Sequence, residues 1–304
     1  MTKPELKKIL REKPGYLKSG SKKLAALFGV SRKIAKQAVY EVHKENKYPT
    51  HKFKRLFFDI ETSPNIGVFW RSGWKQTIPT SNILEERRVI TVSWKWEHED
   101  KVYHLNWDNN KCDKELLESF TSVLGSAHEV VTHNGDRFDI PWLRTRCIKH
   151  GLPFPTYVKS LDTLKKVRSM FNFQSNKLNY IANFLGLGGK EETGGFDLWL
   201  TLLLKDSGSS EYKDSLKVMH KYCDHDVVLL EDVYHKIQQY IKPVTHVGIY
   251  QGKGKFSCST CGETNLIYKE HTVTTTGIIK RHMECPACHS DFIINNKVFL
   301  NNIK

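Results

Sequence analysis

Two acidic residues lie at the end of the strand-like run Leu56 to Glu61, and their spacing could hold a cation. Asp59 and Glu61 are separated by one residue, so on a strand both carboxylates project from the same face. Ionised carboxylates this close repel each other unless a cation lies between them. The alternative is a strand that simply reaches solvent, and this pair alone leaves both interpretations open.

A third acidic residue, Asp139, lies in apolar surroundings. It follows Phe138 and precedes the apolar run from Ile140 to Leu143, so we expect its carboxylate to require a partner. Asp136, three residues earlier, has an ordinary explanation as a residue of a glycine-containing turn.

A fourth acidic residue lies in a stretch with the pattern of an amphipathic helix, Lys221 to Tyr234. At about 100° per residue, Asp226 falls within the apolar stripe of this helix. The other members of the stripe are Leu229, Leu230, Val233 and Ile237. No Lys or Arg lies one turn away on the stripe, so a metal ion is the economical partner. The alternative is a buried acid that is hydrogen-bonded to backbone groups.

The same geometry separates the other polar residues of this helix. Tyr222 lies one turn before Asp226 on the same face and could reach what Asp226 binds. We expect Asp224 and His225 to face solvent, with Asp224 on the polar side together with Glu231. These residues are therefore predicted to be surface residues.

Taken together, the acids predict a site for two cations. Asp59, Glu61, Asp139 and Asp226 would each be costly to bury alone, but all four suit Mg²⁺ or Mn²⁺. Two such ions about 4 Å apart activate a water molecule and stabilise the leaving oxygen of a phosphodiester. The combination favours a metal-dependent phosphodiester hydrolase.

Four cysteines near the carboxyl end form two C-x-x-C pairs, Cys258 with Cys261 and Cys285 with Cys288. The stretch between them predicts a β-hairpin around Gly277. Two such pairs about twenty residues apart offer four thiolates to one tetrahedral Zn²⁺, the pattern of a zinc ribbon. An iron–sulfur cluster and redox disulfides are the alternatives, and zinc is favoured. Metal binding would supply much of the folding free energy of so small a segment.

The first fifty residues predict two amphipathic helices joined at Gly29 to Ser31, with Ser31 as the N-cap of the second. The apolar stripe of the first helix comprises Leu24, Leu27 and Phe28. The short turn is typical of a helix-turn-helix. The second helix would then present side chains suited to phosphates and base edges. These are Arg32, Lys33, Lys36 and Gln37. A plain helical hairpin with a solvated basic face is the alternative.

The net charge of +14 is concentrated at the two ends of the 304-residue chain. Residues 1–55 contain sixteen Lys and Arg against four Asp and Glu, and residues 242–304 contain eight against four. Basic ends around a near-neutral centre are typical of a protein whose ends bind a polyanion on which the centre acts. Solubility is the alternative explanation.

Alternating strand-like and helix-like runs from about 55 to 241 predict an α/β layer with a mixed sheet. Strands are expected at "RLFFDIE", "RRVITVSWKW", "KVYHLNW" and "HEVVTHN", and helices at "DKELLESFTSVLG", "IPWLRTRCIKHG" and "KLNYIANFLGLG". The polar stretch 43–54 predicts a linker. We therefore expect three domains, at 1–50, 51–241 and 242–304.

The sequence contains no apolar run of the roughly 20 residues that span a membrane. Its basic amino terminus is not followed by the apolar segment of a signal peptide. The seven cysteines suit a metal site in a reducing compartment better than a set of disulfides. We expect a soluble cytoplasmic protein, from a bacterium, a virus-infected cell or an equivalent compartment.

Three motifs, "FDIET", "HNGDRFD" and "YCDHD", occur in an order that resembles the DEDD superfamily of 3′–5′ exonucleases, which have a ribonuclease H-like fold. The Y-x-x-x-D spacing of Tyr222 and Asp226 resembles the DEDDy branch, which includes the exonuclease domains of family B DNA polymerases. The DEDDh branch would require a histidine at Lys221. The resemblance covers about 55–241.

The resemblance implies that Asp59, Glu61, Asp139 and Asp226 bind two Mg²⁺ or Mn²⁺ ions and that Tyr222 orients the attacking water. It implies a 3′–5′ exonuclease that releases nucleoside 5′-monophosphates, and we expect it to stand alone without a polymerase module. DNA is the favoured substrate because of the helix-turn-helix, but the motifs suit an exoribonuclease equally. Two further possibilities are a DNA-binding regulatory protein and a structure-specific endonuclease.

Overall fold

The computed structural model describes residues 1–47, 52–73, 77–189 and 195–303. The chain divides into two compact units. The larger unit comprises Lys54–Thr245, and the smaller unit combines Met1–Phe53 with His246–Lys304. No helix in the described ranges is both long and apolar enough to cross a membrane.

The larger unit is built on a mixed five-stranded sheet. Its strands are β1 (Arg55–Thr62), β4 (Val89–Trp96), β5 (Val102–Asn106), β6 (Glu129–Thr132) and β7 (Lys159–Asp162), and the short hairpin β2 (Ile66–Gly67) and β3 (Ile83–Glu85) lies between β1 and β4 in sequence. The strand order is β5-β4-β1-β6-β7. β4 is antiparallel to β1 and β5, whereas β6 runs parallel to β1 and β7 runs parallel to β6. The α/β prediction with a mixed sheet is confirmed.

Six helices within the described part of this unit cover the sheet: α4 (Lys114–Gly125), α5 (Asp139–Lys149), α6 (Thr163–Met170), α7 (Leu178–Phe184), α8 (Asp197–Leu204) and α9 (Ser210–Ile237). Alternate residues of β1 face opposite sides, as the pleat requires. Phe58 packs with α4 and α5 on one side, while Phe57 packs with α7 and α9 on the other. Asp59 and Glu61 have the same parity as Phe57, so both project toward α9.

The predicted strands and helices of this unit are all present. The structure adds the hairpin β2–β3, the strand β7 and the helices α6 and α8, which were not predicted from the sequence. In α6 the side chain of Asp162 acts as the N-cap and accepts hydrogen bonds from the backbone N–H groups of Leu164 and Lys165.

The amino-terminal part of the smaller unit is helical, with α1 (Lys3–Glu12), α2 (Ser21–Phe28) and α3 (Arg32–Lys47). Gly29 ends α2 in the left-handed conformation (φ 61°), and the Ser31 hydroxyl accepts a hydrogen bond from Ile34 N–H at 3.2 Å. The predicted N-cap and helical pair are confirmed. Leu27, however, is 55% exposed, so the stripe prediction was wrong for this residue. The packed core lies instead on Leu24 and on one side of α1 and α3.

The linker predicted for 43–54 is partly wrong, because α3 continues to Lys47. Residues 48–51 of that stretch lie outside the described residues.

The carboxyl-terminal part of the smaller unit contains the short helices α10 (Val247–Tyr250) and α11 (Asn296–Leu300) and a three-stranded antiparallel sheet. Its strands are β8 (Ile267–Val273), β9 (Ile279–Glu284) and β10 (Asp291–Asn295), in the order β10-β9-β8. The predicted hairpin around Gly277 is confirmed, and Gly277 has the positive φ (78°) that this turn requires.

Candidate active site

Three of the four acids predicted to bind cations converge in the larger unit. Asp59, Glu61 and Asp226 each offer a carboxylate oxygen, and these oxygens lie within 4.8 Å of one another. Asp59 and Glu61 come from β1, and Asp226 comes from the face of α9 that covers β1. Carboxylate oxygens are the ligands that Mg²⁺ and Mn²⁺ prefer, so this set of donors fits a divalent cation of that class.

Asp139, the fourth acid, lies at the first turn of α5 and is only 2% exposed. Its Oδ1 accepts a hydrogen bond of 3.2 Å from the backbone N–H of Ile60. β6 pairs with β1 only as far as Phe57, so the edge of β1 beyond that point is open to this side chain. Asp139 is thus fixed to the strand between Asp59 and Glu61.

Burial raises the pKa of Asp139 to about 7, and the charge of Asp162 adds to the increase, although the bond from Ile60 N–H opposes it. A carboxyl group that resists ionisation at neutral pH is one that a neighbouring cation would stabilise in its charged form.

The turn before α5 needs glycine at position 135. A Cβ atom on Gly135 would lie 2.1 Å from the hydroxyl oxygen and 2.4 Å from the Cβ of Thr132. Asp162 holds the same turn, because its carboxylate accepts hydrogen bonds from the backbone N–H groups of Asn134 (2.9 Å) and Asp136 (3.3 Å). This close packing explains why position 135, in the turn between β6 and Asp139, is a glycine.

Tyr222 lies on α9 one turn before Asp226, as predicted, and is half-buried. Its ring contacts Trp199 of α8 edge-on, with the ring centroids 6.2 Å apart. Cys223, which lies between Tyr222 and Asp226 on α9, is buried, and its Sγ lies 3.5 Å from the carbonyl oxygen of Asp59. Burial, together with the charges of Asp59 and Glu61, raises the pKa of Cys223 well above its usual value, so it remains a neutral thiol.

The prediction that Asp224 and His225 face solvent was wrong. Asp224 accepts a hydrogen bond of 2.6 Å from the Ser93 hydroxyl and lies 3.0 Å from Nδ1 of His104. His225 is half-buried, and its Nε2 donates to the carbonyl oxygen of Gly189 at 2.9 Å. The side of α9 opposite the apolar stripe lies against polar residues of β4 and β5.

Glu231 was also misplaced on an exposed polar side. It is 7% exposed and forms an ion pair with Lys95 of β4. The physical reason is the same as for Asp224, since a polar helix face can be buried when the opposing strands supply donors.

A cleft of about 740 Å³ opens beside Asp59 and Asp226. Its other walls are the ends of β6 and α6 and the segment 175–179. Polar and basic side chains line those walls, namely His133, Asn134, Arg168, Asn176, Lys177 and Asn179. His133 Nε2 donates to the carbonyl oxygen of Asn176 at 2.9 Å and so joins the segment to the end of β6. The sequence did not reveal these lining residues, because only the fold brings the end of β6, α6 and the segment 175–179 beside Asp59 and Asp226.

A family model of the RNase H superfamily matches residues 56–238, which is more than half of the chain. This chain belongs to the RNase H superfamily. A search of curated protein sequences finds no match. Among solved structures, the family B DNA polymerase from the hyperthermophilic archaeon Pyrobaculum calidifontis is similar, with 13% sequence identity and a TM-score of 0.47. The similarity covers 66% of this chain and 27% of the polymerase chain.

The RNase H-like fold expected from the three motifs is thereby confirmed for this member of the RNase H superfamily. The superfamily includes nucleases, and the acidic cluster on the central strand β1 and on α9 is a site that could bind the divalent cations such enzymes use. The sheet geometry and the family membership together indicate a nucleic-acid hydrolase.

The four predicted zinc ligands of this RNase H superfamily protein also converge, in the smaller unit. The sulfur atoms of Cys258, Cys261, Cys285 and Cys288 all lie within 4.8 Å of one another. Two of the separations are 3.6 Å, from Cys258 to Cys288, and 3.5 Å, from Cys261 to Cys285. Four sulfur ligands at this spacing fit a small zinc-binding domain.

The four side chains predicted to contact nucleic acid lie on the exposed side of α3. Arg32, Lys33, Lys36 and Gln37 are all exposed, whereas Ala35 and Ala38 of the same helix are fully buried. The predicted orientation of this helix is therefore confirmed.

Proposed function

We propose that this protein is a metal-dependent 3′–5′ exonuclease that hydrolyses DNA and releases nucleoside 5′-monophosphates. The observation that supports the proposal most strongly is the convergence of Asp59, Glu61 and Asp226, with Asp139 bound to the same strand, at the wall of a cleft. Two Mg²⁺ or Mn²⁺ ions held by these acids would supply the positive charge that activates the attacking water and stabilises the leaving oxygen.

The chain's own residues would perform the remaining tasks. The three clustered acids and Asp139 would hold the cations, and the rigid anchoring of Asp139 to Ile60 would fix their positions. The Tyr222 phenol, one turn from Asp226, would orient the attacking water, a role that the resemblance to DEDDy exonucleases implies.

The cleft would bind the 3′ end of the strand. Arg168 and Lys177 offer positive charge to phosphates, and Asn134, Asn176 and Asn179 offer amide donors and acceptors to sugars and bases. A cleft of about 740 Å³ lies within the range of about 300–1,000 Å³ typical of small-molecule sites, so it could hold a terminal nucleotide. Such a site would accept a single-stranded end.

The two terminal segments would bind the rest of the substrate and a structural metal. We propose that α2 and α3 act as a helix-turn-helix that contacts DNA through Arg32, Lys33, Lys36 and Gln37. The four cysteines would bind one structural Zn²⁺ in a zinc ribbon.

The Asp226→Asn variant tests the proposed function. Removing an outer-shell partner of a metal ligand typically costs 10- to 100-fold, so loss of a direct ligand should lower cleavage by more than about 100-fold. Mononucleotide release would be followed over time on matched DNA and RNA oligonucleotides, labelled at the 5′ end or the 3′ end, with Mg²⁺ or Mn²⁺. A 3′–5′ exonuclease shortens the 5′-labelled strand progressively and releases the 3′ label first.

The matched control is Asp232→Asn, which changes an exposed acid on the same helix and should leave the rate unchanged. Cleavage by Asp226→Asn at the wild-type rate would overturn the site assignment. Internal cleavage products would overturn the exonuclease, and faster digestion of the RNA strand would overturn the preference for DNA.

A further inference from the structure

The residue opposite Asp59 on the neighbouring strand links the sheet to the catalytic helix. Asp59 of β1 is paired in register with Ser93 of β4, and Ser93 is paired in register with His104 of β5. Residues paired in this way project their side chains from the same face of a sheet. The three side chains therefore form a polar row beneath α9, and only Asp59 belongs to the acidic cluster.

Two adjacent residues of α9 bind this row. The thiol of Cys223 lies 3.5 Å from the carbonyl oxygen of Asp59, and the carboxylate of Asp224 accepts the Ser93 hydroxyl at 2.6 Å. His104 approaches the same carboxylate, with Nδ1 at 3.0 Å from one oxygen and 3.3 Å from the other. A separation of 2.6 Å is typical of a hydroxyl bonded to a charged carboxylate, which is about twice as strong as a neutral hydrogen bond.

We propose that Ser93 and Asp224 are positioning residues, whose hydrogen bond holds α9 where Asp226 meets Asp59 and Glu61. The proposal rests on the proposed function in that the three acids bind cations. Apolar contacts alone hold the helix without directional preference. A hydroxyl–carboxylate hydrogen bond, in contrast, tolerates a change of only a few tenths of an ångström in the distance between its two oxygen atoms. Metal ligands require comparable accuracy. Asp224 lies only two residues from Asp226 on α9, so a displacement of the helix at Asp224 also displaces Asp226.

The test measures Mn²⁺ binding by calorimetry, a readout that does not depend on catalysis. Ser93→Ala and Asp224→Ala should each weaken Mn²⁺ binding about 10-fold, at the lower end of outer-shell effects. Because Ser93 acts through Asp224, which also contacts His104, the double variant should lose no more than Asp224→Ala alone, about 10-fold, and not the roughly 100-fold that independent effects would give. Circular dichroism of each metal-free variant would establish that it is folded.

Thr91→Val is the matched control. Thr91 lies on the same strand, is paired with Glu61 and is fully buried, but its hydroxyl donates to the carbonyl oxygen of Leu105 and not to α9. This variant should bind Mn²⁺ like the wild type. Wild-type affinity in Ser93→Ala, additive losses in the double variant, or an equal loss in Thr91→Val would each overturn the proposal.

The positioning role and the nuclease can fail separately. If the wild type binds Mn²⁺ and the variants show the shared 10-fold loss, but no nucleotide is released from DNA or RNA, the positioning role is supported and the proposed exonuclease activity is overturned. If the wild type degrades DNA and Ser93→Ala binds Mn²⁺ as tightly as the wild type does, the proposed nuclease activity is supported and the positioning role is overturned. A wild type that does not bind Mn²⁺ would overturn both.

Discussion

Asp139 shows how burial prepares a single carboxyl group for a cation. Its side chain receives a hydrogen bond from Ile60 N–H, yet burial still raises its pKa to about 7. In the metal-free protein the neutral form is therefore favoured in the folded state at mildly acidic pH. Ionisation at higher pH places a charge in the interior, where a bound cation would offset its cost.

The consequence is a stability that depends on both pH and metal. Because the folded pKa of Asp139 lies above the unfolded one, its contribution is complete below about pH 4 and is lost as pH rises through about 7. The loss is at most about 1.4 kcal/mol of unfolding free energy per pH unit in that window. We therefore expect Mg²⁺ or Mn²⁺ to raise the melting temperature more at pH 8 than at pH 5, as measured by calorimetry.

Asp139→Asn is the control for this pH effect. The amide cannot ionise, so the metal-free variant should melt above the wild type at pH 8 and should lose most of the response to metal. If Mg²⁺ or Mn²⁺ raised the melting temperature of the wild type equally at both pH values, the assignment of the pH effect to Asp139 would be wrong.

The predicted site residues that the structure brings together are those whose orientation is determined by local geometry. The i, i+2 spacing of Asp59 and Glu61 fixes their common face on any strand, and helical spacing alone locates Asp226 on the apolar stripe. Asp224 was misjudged because its partners are remote in sequence, with Ser93 131 residues away and His104 120 residues away. A polar helix face is exposed to solvent only when no polar side chains of a neighbouring element contact it. Which elements are neighbours is determined by the fold and cannot be seen in the local sequence.

At the level of the elements, α9 is a helix of 28 residues held by contacts on two faces. Its apolar stripe packs with Phe57 and β6, and its polar side bonds to β4 and β5. The ion pair of Lys95 and Glu231 is the more deeply buried of these polar contacts, with side chains 11% and 9% exposed. A buried pair adds little net stability, but it becomes costly when one partner is removed.

We therefore expect Lys95→Met to destabilise the protein by up to about 3–5 kcal/mol, because it leaves the buried Glu231 carboxylate without the lysine and with His235 at 3.7 Å. The double variant Lys95→Met, Glu231→Leu should recover most of that loss, since it removes both charges. Urea unfolding at equilibrium measures both effects.

The control is Lys217→Met, which breaks an exposed pair with Asp214 on the same helix and should change the free energy of unfolding by less than about 1 kcal/mol. A double variant less stable than Lys95→Met would contradict the argument.

The predicted and unpredicted elements differ in how much they depend on distant partners. The strands β1 and β4 are eight residues each, with enough apolar and β-branched residues to be evident in isolation. β7 has only four residues, and its form depends on parallel pairing with β6. The end of α3 was misread as linker because charged residues suggested exposure, although Lys and Glu are good helix formers.

At the level of the whole molecule, the smaller unit brings together the two ends of the chain and nearly all of its net charge of +14. The acidic cluster belongs to the near-neutral larger unit. A basic unit on the same chain as a near-neutral one would attract a polyanion through electrostatic interactions that depend on salt. The sequence predicted this distribution because charge can be counted without knowing the fold.

The exposed side of α3 gives this attraction a testable location. Replacing Arg32, Lys33 and Lys36 together by Gln should weaken DNA binding and flatten its dependence on salt, by about 0.9 in the slope of log K against log salt for each phosphate that the variant no longer neutralises. Fluorescence anisotropy with labelled DNA at several salt concentrations measures the slope. Hydrolysis of a small phosphodiester, such as a nitrophenyl ester of a nucleotide, should be unchanged because it needs only the acidic cluster.

The control for this variant keeps the net charge equal but moves the changes elsewhere. Lys8, Lys13 and Lys18 are exposed in the same helical segment but lie outside α3. If their replacement by Gln flattens the salt dependence as much as the α3 variant does, the segment acts through its total charge, and the helix-turn-helix assignment is wrong. If only the α3 variant weakens binding, the DNA contacts lie on the helix that the sequence predicted, because general attraction would respond equally to any three charges.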